Sequence, residues 1–296
     1  MSTTLSAIIG TTSYSLSSGA LAYQLEEDGV GMAEGHRLEE RGPQQHGVTD
    51  LGFRLDPRVI QLVFVSVNAS ESALYTARKE LLRIFKWRET PLQLRYDLAN
   101  GDVRQIDAHY IGAMTMASKD RSGQSQRFGV SLKASDPRWY DPTMRAVVFG
   151  LGGGSGSGFT VPITVPVAVG VATLDQIRSI VYAGDWLEYP LIILKGPITN
   201  PAIQNVTTGE VLDFAGTTIV AGQSYTINLR YGYKTVTDAA GANQIAGLST
   251  ASDLATFHIE ADPDAPGGVN DFRVTGSAIT SATEIYLQYY DRFIGF

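Results

Sequence analysis

Four histidines, His36, His46, His109 and His258, are the side chains of this 296-residue chain best suited to proton transfer or metal binding near neutral pH. None lies within helical or strand spacing of another, so the sequence signals neither a zinc site nor a serine–histidine pair. His109 and His258 fall in predicted strands, where a lone histidine is ordinarily a packing or surface residue. Asp262, Asp264 and Asp271 occupy a segment rich in proline and glycine. They lack the alternating ligands and closing glutamate of a calcium loop and read as a solvated turn. The glycine run at 150–159 is followed by neither Lys-Ser nor Lys-Thr, and a proline-containing strand pattern follows it where a phosphate loop needs a helix. The chain has no cysteine, which excludes disulfides, thiolate metal sites and a cysteine nucleophile. A glycoside hydrolase would need two facing carboxylates, and no such pair is signalled. The expectation is a protein without catalytic residues, metal or cofactor.

The elements that carry these residues are mostly strands. Thirty-one glycines and a charged fraction of 18% beside 44% hydrophobic residues favour a folded, turn-rich β protein over a helix bundle. The length suits two domains, each with its own core. Residues 1–147 hold 17 Lys and Arg against 17 Asp and Glu, leaving 6 against 13 for the remainder, so the net charge of −7 lies in the second half. That asymmetry suggests domains with different neighbours and disfavours a duplex-DNA reader, which needs a concentrated basic face. No basic residue precedes the short apolar run at the N-terminus, unlike a secretory signal. The most apolar stretch, 161–171, is interrupted by Pro162 and Pro166, so no membrane insertion is expected.

The glycine run marks the expected break: an N-terminal domain at 1–149, a Gly/Ser-rich linker at 150–159 and a C-terminal domain at 160–296. Residues 92–98 alternate apolar and polar without a slip, and after a turn at Asn100 and Gly101 a partner strand carries Ile106, Ala108, Tyr110, Met114 and Met116 on one face. Phe128, Val130, Leu132 and Ala134 repeat the pattern beyond a polar connection at 117–127. The spacing of Leu74, Ala77, Leu81 and Phe85 predicts one helix over 69–86, capped by Asn68 with Glu71 completing a capping box, and with Arg83, Lys86 and Arg88 at its carbonyl end. In the second half, strands are predicted at 161–169, 187–195, 224–231, 256–260 and 284–290, with a short helical turn at 252–255. Strands separated by glycine-rich turns have the form of a β-sandwich.

Five segments in order, 47–50 (Gly-x-x-Asp), 56–58 (Asp-Pro-Arg), 76–85 ("TARKELLRIF"), 103–107 ("VRQID") and 136–142 ("DPRWYDP"), resemble the N-terminal domain of the distal tail proteins of long-tailed bacteriophages. The second half, through "GDWLEYPLIILKGPITNPAIQNVTTGEVLDF", "LRYGYKTVTDAAGANQIAGL" and "FHIEADPDAPGGVNDFRVTG", is similar to the family's galectin-like C-terminal domain. The glycine-rich insertion and the apolar segment through Phe293, Ile294 and Phe296 depart from the commoner pattern.

The resemblance implies a mainly β protein: an N-terminal β-sandwich or barrel-like domain with one helix, plus a C-terminal galectin-like β-sandwich. It implies a structural virion protein at the distal end of the tail, a homohexameric hub ring that links the tail tube protein to tail-tip and receptor-binding proteins and lets DNA pass in transit. A galectin-like sandwich also raises sugar binding, for which Trp186, Tyr189, Tyr231 and Tyr233 are the candidate contacts. Their simpler role is to fill the sandwich. A carbohydrate-binding adhesin or receptor-binding module of a tail tip is the alternative function.

Overall fold

The structure, a computed structural model, describes residues 3–17, 21–150 and 172–296. The chain divides into two compact units, Met1–Pro142 with Phe293–Phe296, and Thr143–Arg292.

The first unit comprises β1 (Thr4–Ile9), β2 (Thr12–Ser15), β3 (Tyr23–Asp28), β4 (Gly35–Glu40), β5 (Thr49–Leu55), β6 (Arg58–Val67), α1 (Glu71–Ile84), β7 (Leu92–Asp97), β8 (Val103–Thr115), β9 (Ser125–Ala134) and the short β10 (Trp139–Tyr140). The main sheet runs β2-β1-β7-β8-β9-β6-β3 with antiparallel pairing throughout, while β4 and β5 form a separate two-stranded sheet. β8 pairs with β7 over 103–108 and with β9 from His109 onward, with a register irregularity spanning Gly112 at φ +72. A long strand that changes partner midway folds the sheet over on itself. Leu5, Phe64, Leu94, Tyr96, Leu132 and Trp139 then share one core.

Helix α1 covers this core with Leu74, Ala77, Leu81 and Ile84 buried and Phe85 at its C-cap, as the apolar spacing requires. Its cap is Ser70, not Asn68. Ser70 is extended and its hydroxyl accepts from the Ala73 N–H, whereas the buried Asn68 amide donates to the Ser66 hydroxyl. Two residues closer to the helix, the shorter side chain reaches the free N–H groups and Glu71 becomes the first helical residue. At the other end Arg88 donates to the carbonyls of Arg83 and Ile84, satisfying acceptors the last turn leaves open.

The second unit comprises β11 (Arg145–Gly150), β12 (Thr173–Val181), β13 (Leu191–Lys195), β14 (Ile198–Asn205), β15 (Val211–Asp213), β16 (Thr218–Ile219), β17 (Ser224–Asn228), β18 (Thr235–Asp238), β19 (Val269–Ser277) and β20 (Glu284–Tyr289). They form two five-stranded sheets, β11-β20-β13-β17-β18 and β12-β19-β14-β15 with β16 on β14, which share a core that includes Phe149, Ile192, Ile203, Phe214, Phe257 and Phe272. The unit boundary lies ahead of the glycine run because β11 pairs residue for residue with β20. The predicted strand at 161–169 and nearly all of the expected linker lie outside the described residues. Residues 256–260 contribute a single bridge, Glu188 to Ile259, in place of the predicted strand, and 252–255 form turns in place of a helix. Among the described residues no helix is long and apolar enough to cross a membrane.

Candidate functional site

Three of the motif segments meet in the first unit around Arg58. Its side chain is nearly fully buried and donates to four main-chain carbonyls: Nε to Pro137 at 2.7 Å, Nη1 to Gly29 at 2.7 Å and Gly31 at 2.6 Å, and Nη2 to Ile294 at 2.6 Å. The guanidinium stands 5.7 Å from the Trp139 ring, and burial pulls its pKa below the ordinary arginine value. Beside it, Gln105 donates to the Tyr140 hydroxyl at 2.8 Å, which donates to Asp107 at 2.9 Å, while Asp136 accepts from Arg138 at 2.8 Å and 2.9 Å. A planar five-donor fork is the group that can gather carbonyls from several loops at once. Together these bonds tie the loops of the unit around the buried guanidinium.

The segment Phe293–Phe296 belongs to this cage, so it packs with the first unit although the sequence places it at the far end of the C-terminal domain. Phe296 lies 4.8 Å from Tyr96 and 4.9 Å from Trp139 between ring centroids, and Arg104 sits 3.5 Å over the Phe293 ring. A side chain at position 295 would meet the Gly31 backbone at 2.7 Å, so glycine there permits the close approach.

All four candidate sugar contacts lie in the second unit. Tyr189 and Tyr231 form an edge-to-face pair at 4.8 Å, and Tyr233 stands exposed on the same β17–β18 loop as Tyr231. Trp186 is half-buried and its carbonyl accepts from the Tyr182 hydroxyl at 2.6 Å. Sequence reasoning missed Lys234, whose Nζ lies 3.7 Å over the Tyr189 ring with no hydrogen-bond partner. Burial lowers Lys234 to about 8 against the pull of Glu210. Its φ of +46 is a left-handed backbone that the pattern Tyr-Gly-Tyr-Lys does not advertise.

His258 lies in a turn segment, not a strand, with Nδ1 2.9 Å from Glu210 and Nε2 2.8 Å from Glu260. Burial alone draws its pKa down, but the hydrogen bond to Glu260, the Glu210 charge and the Thr256 carbonyl together hold it above the ordinary histidine value. Asp262 accepts from the Gly267 N–H and Asp271 from the Ser179 hydroxyl, so the acidic turn does not converge. Among the described residues no group of three or more His, Asp and Glu is arranged to hold a metal ion.

Residues 27–133 match the family described as the phage tail protein RIFT-related domain. Among solved structures, the SPP1 Dit protein, described as a paradigm of the hub adsorption apparatus in phages infecting Gram-positive bacteria, matches with a TM-score of 0.63 at 11% identity over 98% of this chain and 99% of that one. A chain of the phage P2 baseplate in its activated conformation matches with a TM-score of 0.50 at 11% identity, over 97% of this chain and 98% of that one. No curated relative matches. The chain thus matches a phage tail domain over residues 27–133 and shares the fold of the SPP1 Dit protein along nearly its whole length.

Proposed function

We propose that this chain is a structural protein of the distal end of a siphophage tail, a hub ring between the tail tube and the tail tip. The supporting observation is the agreement of two comparisons of different kind: the tail-family match covers the first unit's hairpin, helix and central strands, and the fold match to a hub protein covers the whole chain. Copies join head to tail through their first units into a closed hexamer whose lumen passes the genome. Such a contact pairs two different surface patches and closes only if its rotation divides a full turn. The second units, which hold the net acidity, dock tail-tip or receptor-binding proteins. The role is structural and needs no catalytic group, in keeping with an Arg58 cage whose donors are committed to main-chain carbonyls. Gold-labelled antibodies to the chain on purified particles should mark the tail end distal to the capsid; label on the capsid or along the tube overturns the assignment.

One local observation favours a second reading, carbohydrate binding by the second unit: two exposed tyrosines share a loop with a lysine whose ammonium has no hydrogen-bond partner. Aromatic faces beside polar donors suit a sugar ring. A glycan array probed with the full chain tests it, with loss of signal in Tyr231→Ala expected and an array without signal counting against it.

A further inference from the structure

The first unit, with 16 Lys and Arg against 17 Asp and Glu, is within one charge of balance, but the balance is not local. Residues 23–56, which span β3, β4 and β5, hold eight Asp and Glu against three Arg. Residues 71–88, which span α1 and its C-terminal turn, hold five Lys and Arg against two Glu, and the connection at 117–127 adds three basic residues against one acidic. Arg127, at the start of β9, is paired with Glu26 of β3 within the chain, which leaves an excess of four negative charges in the first stretch and four positive charges in the other two.

Each charged region also exposes large apolar side chains. On the acidic side they are Tyr23 and Leu25 of β3, Met32, Leu38 of β4, and Val48 and Leu51 at β5. On the basic side they are Tyr75 and Leu82 of α1 and Trp87, which is 70% exposed. An exposed tryptophan flanked by Lys86 and Arg88 is the composition of an interface centre, not of a solvated helix face. β3 is the last strand of the main sheet and so presents an unpaired edge, and the β4–β5 hairpin is a two-stranded sheet, an element that is marginal in water by itself.

Resting on the hub reading above, we propose that the acidic β3–β5 region of one copy seats on the basic α1 face of the next, and that this pair of patches is the heterologous contact that closes the ring. The occupant of each patch is a second copy of this chain because the two patches match each other in sign and size of charge and both carry apolar centres. A contact between like patches would set acid against acid. Among the described residues, Lys79 on α1, Lys86 just beyond its C-cap, and Glu39 and Glu40 on β4 make no ion pair within the chain, so their charges are available across the contact, whereas Arg83 is engaged by Glu80 and Arg88 by the helix carbonyls.

The test uses the full chain in two charge-reversed forms, Lys79→Glu with Lys86→Glu and Glu39→Lys with Glu40→Lys, with circular dichroism to show that each folds. Light scattering should show the assembled fraction of each reversed form reduced about tenfold at low ionic strength, since like charges then face each other. Mixing the two forms in equal amounts should restore assembly, because each reversed patch then meets its new complement. Assembly of either folded form at the wild-type level, or failure of the mixture to assemble, overturns the inference while leaving the hub reading intact. Should either form fail to fold, Trp87→Glu in the full chain replaces it, with loss of assembly expected and wild-type assembly overturning. A wild-type chain that stays monomeric at all concentrations removes the hub reading itself.

Discussion

At the scale of single residues, Arg58 carries more of the first unit than its place in a short Asp-Pro-Arg motif suggests. Its fork ties β6 to the loops at Gly29, Gly31 and Pro137 and to Ile294. Arg58→Lys keeps the charge but cannot span those carbonyls, and we expect a loss of roughly 2–4 kcal/mol in the first unit's urea unfolding. A variant as stable as the parent would show the cage to be dispensable. Gly29 is fixed by the same corner, because a Cβ there would lie 2.0 Å from the Val59 carbonyl at a φ of +82. In the second unit His258 gives a pH signature. Its folded value is raised, so the stabilisation it contributes is present in full below the unfolded value of about 6.5 and is lost as pH rises through the folded one. The second unit's unfolding midpoint should fall as pH rises above about 6.5 in the parent and stay flat in His258→Gln; parallel slopes would contradict the assignment.

At the scale of elements, the segment Phe293–Phe296 is the least expected piece. Packed against Tyr96 and Trp139, it makes the first unit discontinuous in sequence, so removing everything after the glycine run also removes part of the first core. Phe296→Ala should lower the first unit's melting transition by the equivalent of roughly 1–2 kcal/mol, less than for a fully buried ring because Phe296 is partly exposed. For α1, Ser70→Ala should cost about 1 kcal/mol in chemical denaturation, the ordinary value of a lost cap. The predicted hairpin, Leu92 to Leu98 with a partner strand through Met116, matched β7 and β8 because strict alternation over one buried face leaves one register open. β12, β14 and β19 were not legible in the sequence: Pro201 interrupts β14, Asp271 and Gly276 dilute β19, and the exposed Ile177 of β12 falls between buried positions. The Asn68 cap failed for a related reason, since two capping side chains stood in reach and only the backbone decides between them. The tyrosine pair of the candidate sugar contacts was legible as composition, whereas Lys234 was not, because its position depends on a left-handed turn between two strands.

At the scale of the whole molecule, the account rests on identical chains joined by two unlike patches at a rotation that divides a full turn, the condition for such a contact to close in a ring. A charged heterologous contact predicts that assembly weakens as salt rises from about 0.05 M to about 0.5 M, since exposed charge pairs are screened over that range. Sedimentation showing unchanged assembly across it would point to a purely apolar contact. The most direct measurement is native mass spectrometry of the full chain over a series of concentrations. The account predicts a dominant closed species of six times the 31.9 kDa subunit, with no ladder of larger open chains. A 31.9 kDa monomer at every concentration, or an unbounded ladder, would contradict it.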